Sequence, residues 1–178
     1  MSISKINGID VGGGTNSIVF GTTFRARIQY NNWYTCNYSY GHSYYYWYQT
    51  TSSTSLPTSF PDSNVPIGHT IPHAGKVMAY TIVGNSSTTD TTEFAIMKGN
   101  LAGGFGSAGD WTMSQIGSTQ SAGGTANIIY KWEQAKDSFG GVSVVAGDFV
   151  MPYFRRTTDN DSSYQYLEIS YSILMELS

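Results

Sequence analysis

The stretch Tyr164-Gln165-Tyr166-Leu167-Glu168-Ile169-Ser170-Tyr171-Ser172-Ile173-Leu174-Met175-Glu176-Leu177 decides the fold class. Leu167, Ile169, Tyr171, Ile173, Met175 and Leu177 fall on every second position, with Glu168, Ser170, Ser172, Leu174 and Glu176 between them. A period of two is that of a strand with one buried face, and at about 3.3 Å per residue the run makes one strand of roughly 46 Å. Just upstream, residues 142–145, the turn Ala146-Gly147-Asp148 and residues 149–156 read as two strands around a tight turn.

Working back from there, the chain keeps to short strands. Residues 75–83 form a near-continuous apolar run, which predicts a strand buried on both faces. Residues 93–98, 114–119 and 126–133 read as further short strands. From Thr22 onward Phe24, Ala26, Ile28 and Tyr30 alternate with Thr23, Arg25, Arg27 and Gln29, a half-buried strand. Eight to ten strands without a convincing helix predict a two-sheet sandwich, with a closed barrel as the alternative.

Composition agrees. Charged residues make up 12% of the 178 residues, about half the usual share, while aromatics reach 15% and glycines number 20, a mix that suits strands and turns. One domain is expected over residues 21–178. Residues 1–20, with Gly12, Gly13 and Gly14 between short apolar pieces, read as an extended arm whose Ile6, Ile9, Val11, Ile18 and Phe20 are candidates for fixing the protein to a partner. The net charge is -3 and the nine Lys and Arg are scattered, so no phosphate-binding footprint exists and nucleic acid is not an expected partner. No run approaches the roughly 20 apolar residues of a membrane span, and the first residues lack the apolar core of a secretion signal. Cytosolic synthesis is therefore expected. Cys36 is alone and cannot form an intrachain disulfide, and without secretion the sequons at Asn37, Asn85 and Asn160 carry no weight.

Candidate chemistry is thin. His69 and His73 lie four apart, a spacing that puts both on one face of an extended segment, but only His42 could join them and no acid sits in that segment. Asp159 and Asp161 offer oxygen ligands without the glycine and distal glutamate of a calcium loop. Glu133, Glu168 and Glu176 have nothing that brings two of them together as a hydrolytic pair, and no serine sits in a Gly-x-Ser-x-Gly elbow. No catalytic residue, metal or cofactor is expected.

The unusual features point to association. Residues 30–48 hold ten aromatics in nineteen positions, and Asp62 is the only charged residue between Arg27 and Lys76. Trp33, Tyr34, Tyr38, Tyr44, Tyr46 and Trp47 are candidates for an aromatic surface, with three readings: packing within the subunit or trimer, docking to another protein, or stacking on sugar rings. Residues 49–73 carry four of the five prolines and read as a long, functional loop. Arg155-Arg156 reads either as a local ion pair with Asp159 and Asp161 or as a subunit contact.

The stretches Pro72-His73-Ala74-Gly75-Lys76-Val77, Thr92-Glu93-Phe94-Ala95-Ile96-Met97-Lys98-Gly99 and Val145-Ala146-Gly147-Asp148-Phe149-Val150-Met151-Pro152-Tyr153-Phe154-Arg155-Arg156-Thr157, with the 164–177 strand, resemble jelly-roll domains in structural proteins of tailed bacteriophages, especially cyanobacterial and marine ones. The resemblance covers about residues 66–178. In architecture these domains look like the trimeric jelly roll of tumour necrosis factor and complement-type domains. The resemblance implies a non-enzymatic virion protein, a homotrimer that decorates the capsid by binding the major capsid protein or another virion protein. The alternative is a tail-fibre or tail-tip domain gripping host surface polysaccharide. It also implies that residues 142–156 and 164–177 share the inner sheet, with Tyr153, Arg155, Arg156 and Tyr171 at subunit contacts.

Overall fold

The computed structural model describes residues 5–6, 9–10, 17–28, 32–37, 46–49, 54–59, 68–86, 89–101, 111–123, 125–135, 139–157 and 165–178. Every regular element among them is a strand: β1 (Lys5–Ile6), β2 (Ile9–Asp10), β3 (Ser17–Ile28), β4 (Tyr34–Asn37), β5 (Tyr46–Gln49), β6 (His69–Thr70), β7 (Gly75–Ser86), β8 (Thr91–Leu101), β9 (Trp111–Gly123), β10 (Ile129–Gln134), β11 (Val142–Val144), β12 (Phe149–Arg156) and β13 (Gln165–Leu177). β1 and β2 pair only with each other. The rest form two antiparallel sheets, one ordered β10-β7-β13-β3 with β11 beside β7, the other β5-β4-β12-β8-β9 with β6 beside β12.

The pairing of eight of these strands is nested. β3 pairs with β13, β4 with β12, β7 with β10, and β8 with β9. A long antiparallel hairpin closed between β8 and β9 and rolled onto itself produces this order, which is the jelly roll. The 164–177 alternation is borne out: along β13 Leu167, Ile169, Tyr171, Ile173 and Met175 are buried, while Glu168, Ser170 and Ser172 are exposed.

Three expectations need correction. β12 and β13 lie in different sheets, so of residues 142–156 only β11 shares a sheet with the 164–177 strand, and β12 does not. β3 already begins at Ser17, and Ile18 and Phe20, assigned above to an arm, pack half-buried against the core. In β7 the core side is Val77, Tyr80 and Ile82, while Lys76 and Val83 are exposed, so that strand is buried on one face. The strands buried on both faces are instead β8, at Phe94, Ala95, Ile96 and Met97, and β12, from Val150 to Phe154.

Between the sheets, Phe94 of β8 lies 4.2 Å from the Trp132 ring of β10 and 4.7 Å from Phe154 of β12. Buried aromatic heads need partners for their polar atoms. The Trp132 indole N–H donates to the Thr92 carbonyl across the sandwich at 3.2 Å, and the Tyr80 hydroxyl to the Ser118 carbonyl at 2.6 Å. Burial pushes the Tyr80 phenol up to about 12, against a smaller opposing pull from Gln120, so it stays a donor throughout the physiological range.

The Ala146-Gly147-Asp148 turn is fastened by Asp148, which is buried. Gly147 takes the left-handed region at φ 91°, where a Cβ would be strained. The Asp148 carboxylate accepts from the Asn100 amide at 2.7 Å and from the Val145 N–H at 2.9 Å, and its carbonyl accepts from the Ile71 N–H at 2.7 Å. Asp148→Ala leaves both side-chain-bound donors without their acceptor and is expected to lower unfolding free energy by about 1–3 kcal/mol, read from urea denaturation. A loss indistinguishable from zero contradicts this role.

Candidate interaction surfaces

The two outer faces of the sandwich are treated differently by the chain. On the sheet containing β12 and β8, a second apolar cluster of Trp33, Ala95, Met97, Met113, Met151 and Tyr153 lies outside the main core, with Leu56 and Phe149 packed against it. Residues 54–59 cover it. The Met113 N–H donates to the Thr58 carbonyl at 2.9 Å, Ser59 bridges to Thr112, and the Trp33 indole N–H donates to the Thr54 carbonyl at 3.2 Å. The Arg155 guanidinium lies 4.9 Å from the Trp33 ring centroid, bonds the Glu93 carboxylate through Nε at 2.8 Å and donates to Thr54. This part of the proline-rich loop is a strap sealing the sheet.

Several predicted site residues are therefore interior. Trp33 and Tyr34, assigned to an aromatic surface, are buried, because the outer face of their sheet is covered and its inner face is core. Tyr153 is buried beneath the strap and Tyr171 between the sheets, so neither is a free subunit contact. Arg156 is fully buried, sharing the inward parity of Phe154, and its Nε lies 2.6 Å from Asp90, which is itself buried. Among the described residues Arg155 meets Glu93 and Arg156 meets Asp90. Val11, Tyr38 and Tyr44 lie outside the described residues, as do Asp159 and Asp161. Ile6 pairs with Ile9 in the β1–β2 ladder, while Tyr46 and Trp47 in β5 stand in register with Asn37 and Cys36 of β4.

The two histidines do not converge. His69 stands opposite Val150 and places its ring 4.8 Å from Phe20 and 5.7 Å from Tyr171, edge-on in the seam between the sheets, whereas His73 is exposed. Among the described residues no three metal-ligating side chains gather. Burial lowers the pKa of His69 below its usual 6.5, and its buried Nε2 has no hydrogen-bond partner among the described residues. The unfolded chain then binds a proton at a higher pH than the folded one. The His69 contribution to stability is intact above about pH 6.5 and declines as pH falls through the lowered folded-state value. Urea midpoints at pH 7.5 and 5 should show a smaller acid loss in His69→Phe than in the wild type; equal losses contradict the argument.

The other sheet's outer face has no such cover among the described residues. Its register sets Leu174 of β13 between Val19 of β3 and Ala79 of β7, Ser172 between Gly21 and Thr81, and Ser170 between Thr23 and Val83. These nine positions are uncharged and none is larger than leucine. Val19 is 69% exposed and Val83 39%. Charges stand around them: Glu176 pairs in register with Lys76 at one end, Glu168 with Arg25 at the other with Arg27 beyond it, and Lys131 and Glu133 on β10 form an ion pair at 2.8 Å along one side. Sequence reading saw the polar half of β13 but not this face, because its neighbours come from strands some ninety and a hundred and fifty residues earlier.

No family model and no curated protein matches the chain. Among solved structures it is similar to Eiger TNF from S. frugiperda, at 14% identity and a TM-score of 0.46, over 92% of this chain and 93% of that one. It is also similar to Desmodium yellow mottle tymovirus, at 12% identity and 0.29, over 99% and 96%, and to the empty head of turnip yellow mosaic virus, at 8% and 0.23, over 99% and 90%. The strand order, rather than these likenesses, defines the chain as a jelly-roll sandwich.

Proposed function

We propose that the chain is a non-enzymatic structural protein of a virus particle, a homotrimeric jelly roll that decorates and reinforces a phage capsid, with the residues before β3 gripping the shell. The observation that carries this reading is how the chain uses its loops. The described parts of the 49–73 segment, where a long functional loop is expected, are bonded down as the strap and as β6. What these regions leave facing outward is sheet surface, which suits flat contact with other protein surfaces better than enclosure of a small substrate. The sequence resemblance to phage jelly rolls supports the setting. The glycan-gripping alternative loses Trp33 and Tyr34, two of the six aromatics it needs, to the interior.

A reinforcing protein stabilises its particle by mass action. Purified full-length chain added to phage particles lacking it should raise the temperature at which they release DNA. An unchanged release temperature at saturating protein overturns the reinforcing role.

A further inference from the structure

We propose that the open face of the β10-β7-β13-β3 sheet, centred on Ser172, is the surface through which copies of this chain pack against one another. The inference rests on the reading of the chain as a self-associating structural protein and names the surface that does it. Three strands about nine residues long and β10, of 6 residues, about 4.8 Å apart at about 3.3 Å per residue, present roughly 500 Å² of sheet. That is the order of the roughly 800 Å² per partner that a stable interface covers.

Shape and charge point to a second copy. The centre carries side chains no larger than Leu174, so it offers no large anchor to a pocket, and a surface of equally small side chains, such as this same sheet, fits it. The whole chain carries -3, which opposes self-association in general. Around this face, however, the register sets three acids, Glu133, Glu168 and Glu176, among four bases, Lys131, Arg25, Arg27 and Lys76, so the acidic excess of the whole chain is absent here and an acid of one copy can stand against a base of the next. The opposite sheet lacks this freedom where its own strap occupies it.

The test is Ser172→Arg in the full chain, which puts a long charged side chain in the middle of the face while leaving the core side of β13 untouched. Ser114→Arg on β9, exposed and off the face, is the control. By sedimentation equilibrium, wild type and Ser114→Arg should be oligomeric, and Ser172→Arg should fall to one chain, 19.4 kDa, with an unchanged circular dichroism spectrum. An intact Ser172→Arg oligomer overturns the assignment of the face while leaving the structural-protein reading standing. A monomeric wild type overturns self-association, and if Ser172→Arg then also blocks incorporation into particles, the face belongs to another virion protein. Should Ser172→Arg unfold, Ser170→Lys on the same face decides by the same criteria.

Discussion

Arg156→Met is expected to lower the free energy of unfolding by about 3–5 kcal/mol. Arg156 is fully buried and Asp90 nearly so, with Nε and the carboxylate 2.6 Å apart at the end of the sandwich. Methionine approximates the length of the stem, so the loss reflects the charge left behind: the Asp90 carboxylate stays in a low-dielectric site without its cation. The pair itself need not be strongly stabilising, since two charges lose hydration to make it. A double variant, Asp90→Leu with Arg156→Met, should therefore recover much of what the single change loses, and urea denaturation of the four proteins measures the coupling directly. Losses that simply add contradict an ion pair buried in this way.

Phe94→Ala should cost about 3–5 kcal/mol, by lost apolar burial together with the cavity left behind. Its ring is fully buried and stands between Trp132 of one sheet and Phe154 of the other. Both neighbours are held, Trp132 by its bond to the Thr92 carbonyl and Phe154 by β12 between β4 and β8, so neither can swing in to fill the space. Phe94→Leu keeps most of the volume and should cost far less. Equal losses for alanine and leucine would place the energy elsewhere than in packing.

The fold was legible where one strand carries its own signal. From Leu167 to Leu177 inward and outward residues separate by parity alone, and Gly147-Asp148 marks the turn before β12. The site was less legible, because burial on the second face of a sheet depends on chain that arrives from far away. Nothing in Ala95 to Met97 or Met151 to Tyr153 says that residues 54–59 will cover them, so the apolar run of β7 looked the more deeply buried. For the same reason Trp33 and Tyr34 counted as surface aromatics and Arg156 as a surface charge, although the acid that meets it lies sixty-six residues earlier. A charged residue breaks the apolar pattern of a strand, and only its partner's position shows that it has turned inward.

The central claim, that this jelly roll works by association on a virus shell, is tested most directly by counting copies of the chain in purified particles by quantitative mass spectrometry against the major capsid protein. The expected result is tens to hundreds of copies per particle, in a multiple of three. A handful of copies confined to the tail, or none, would contradict it.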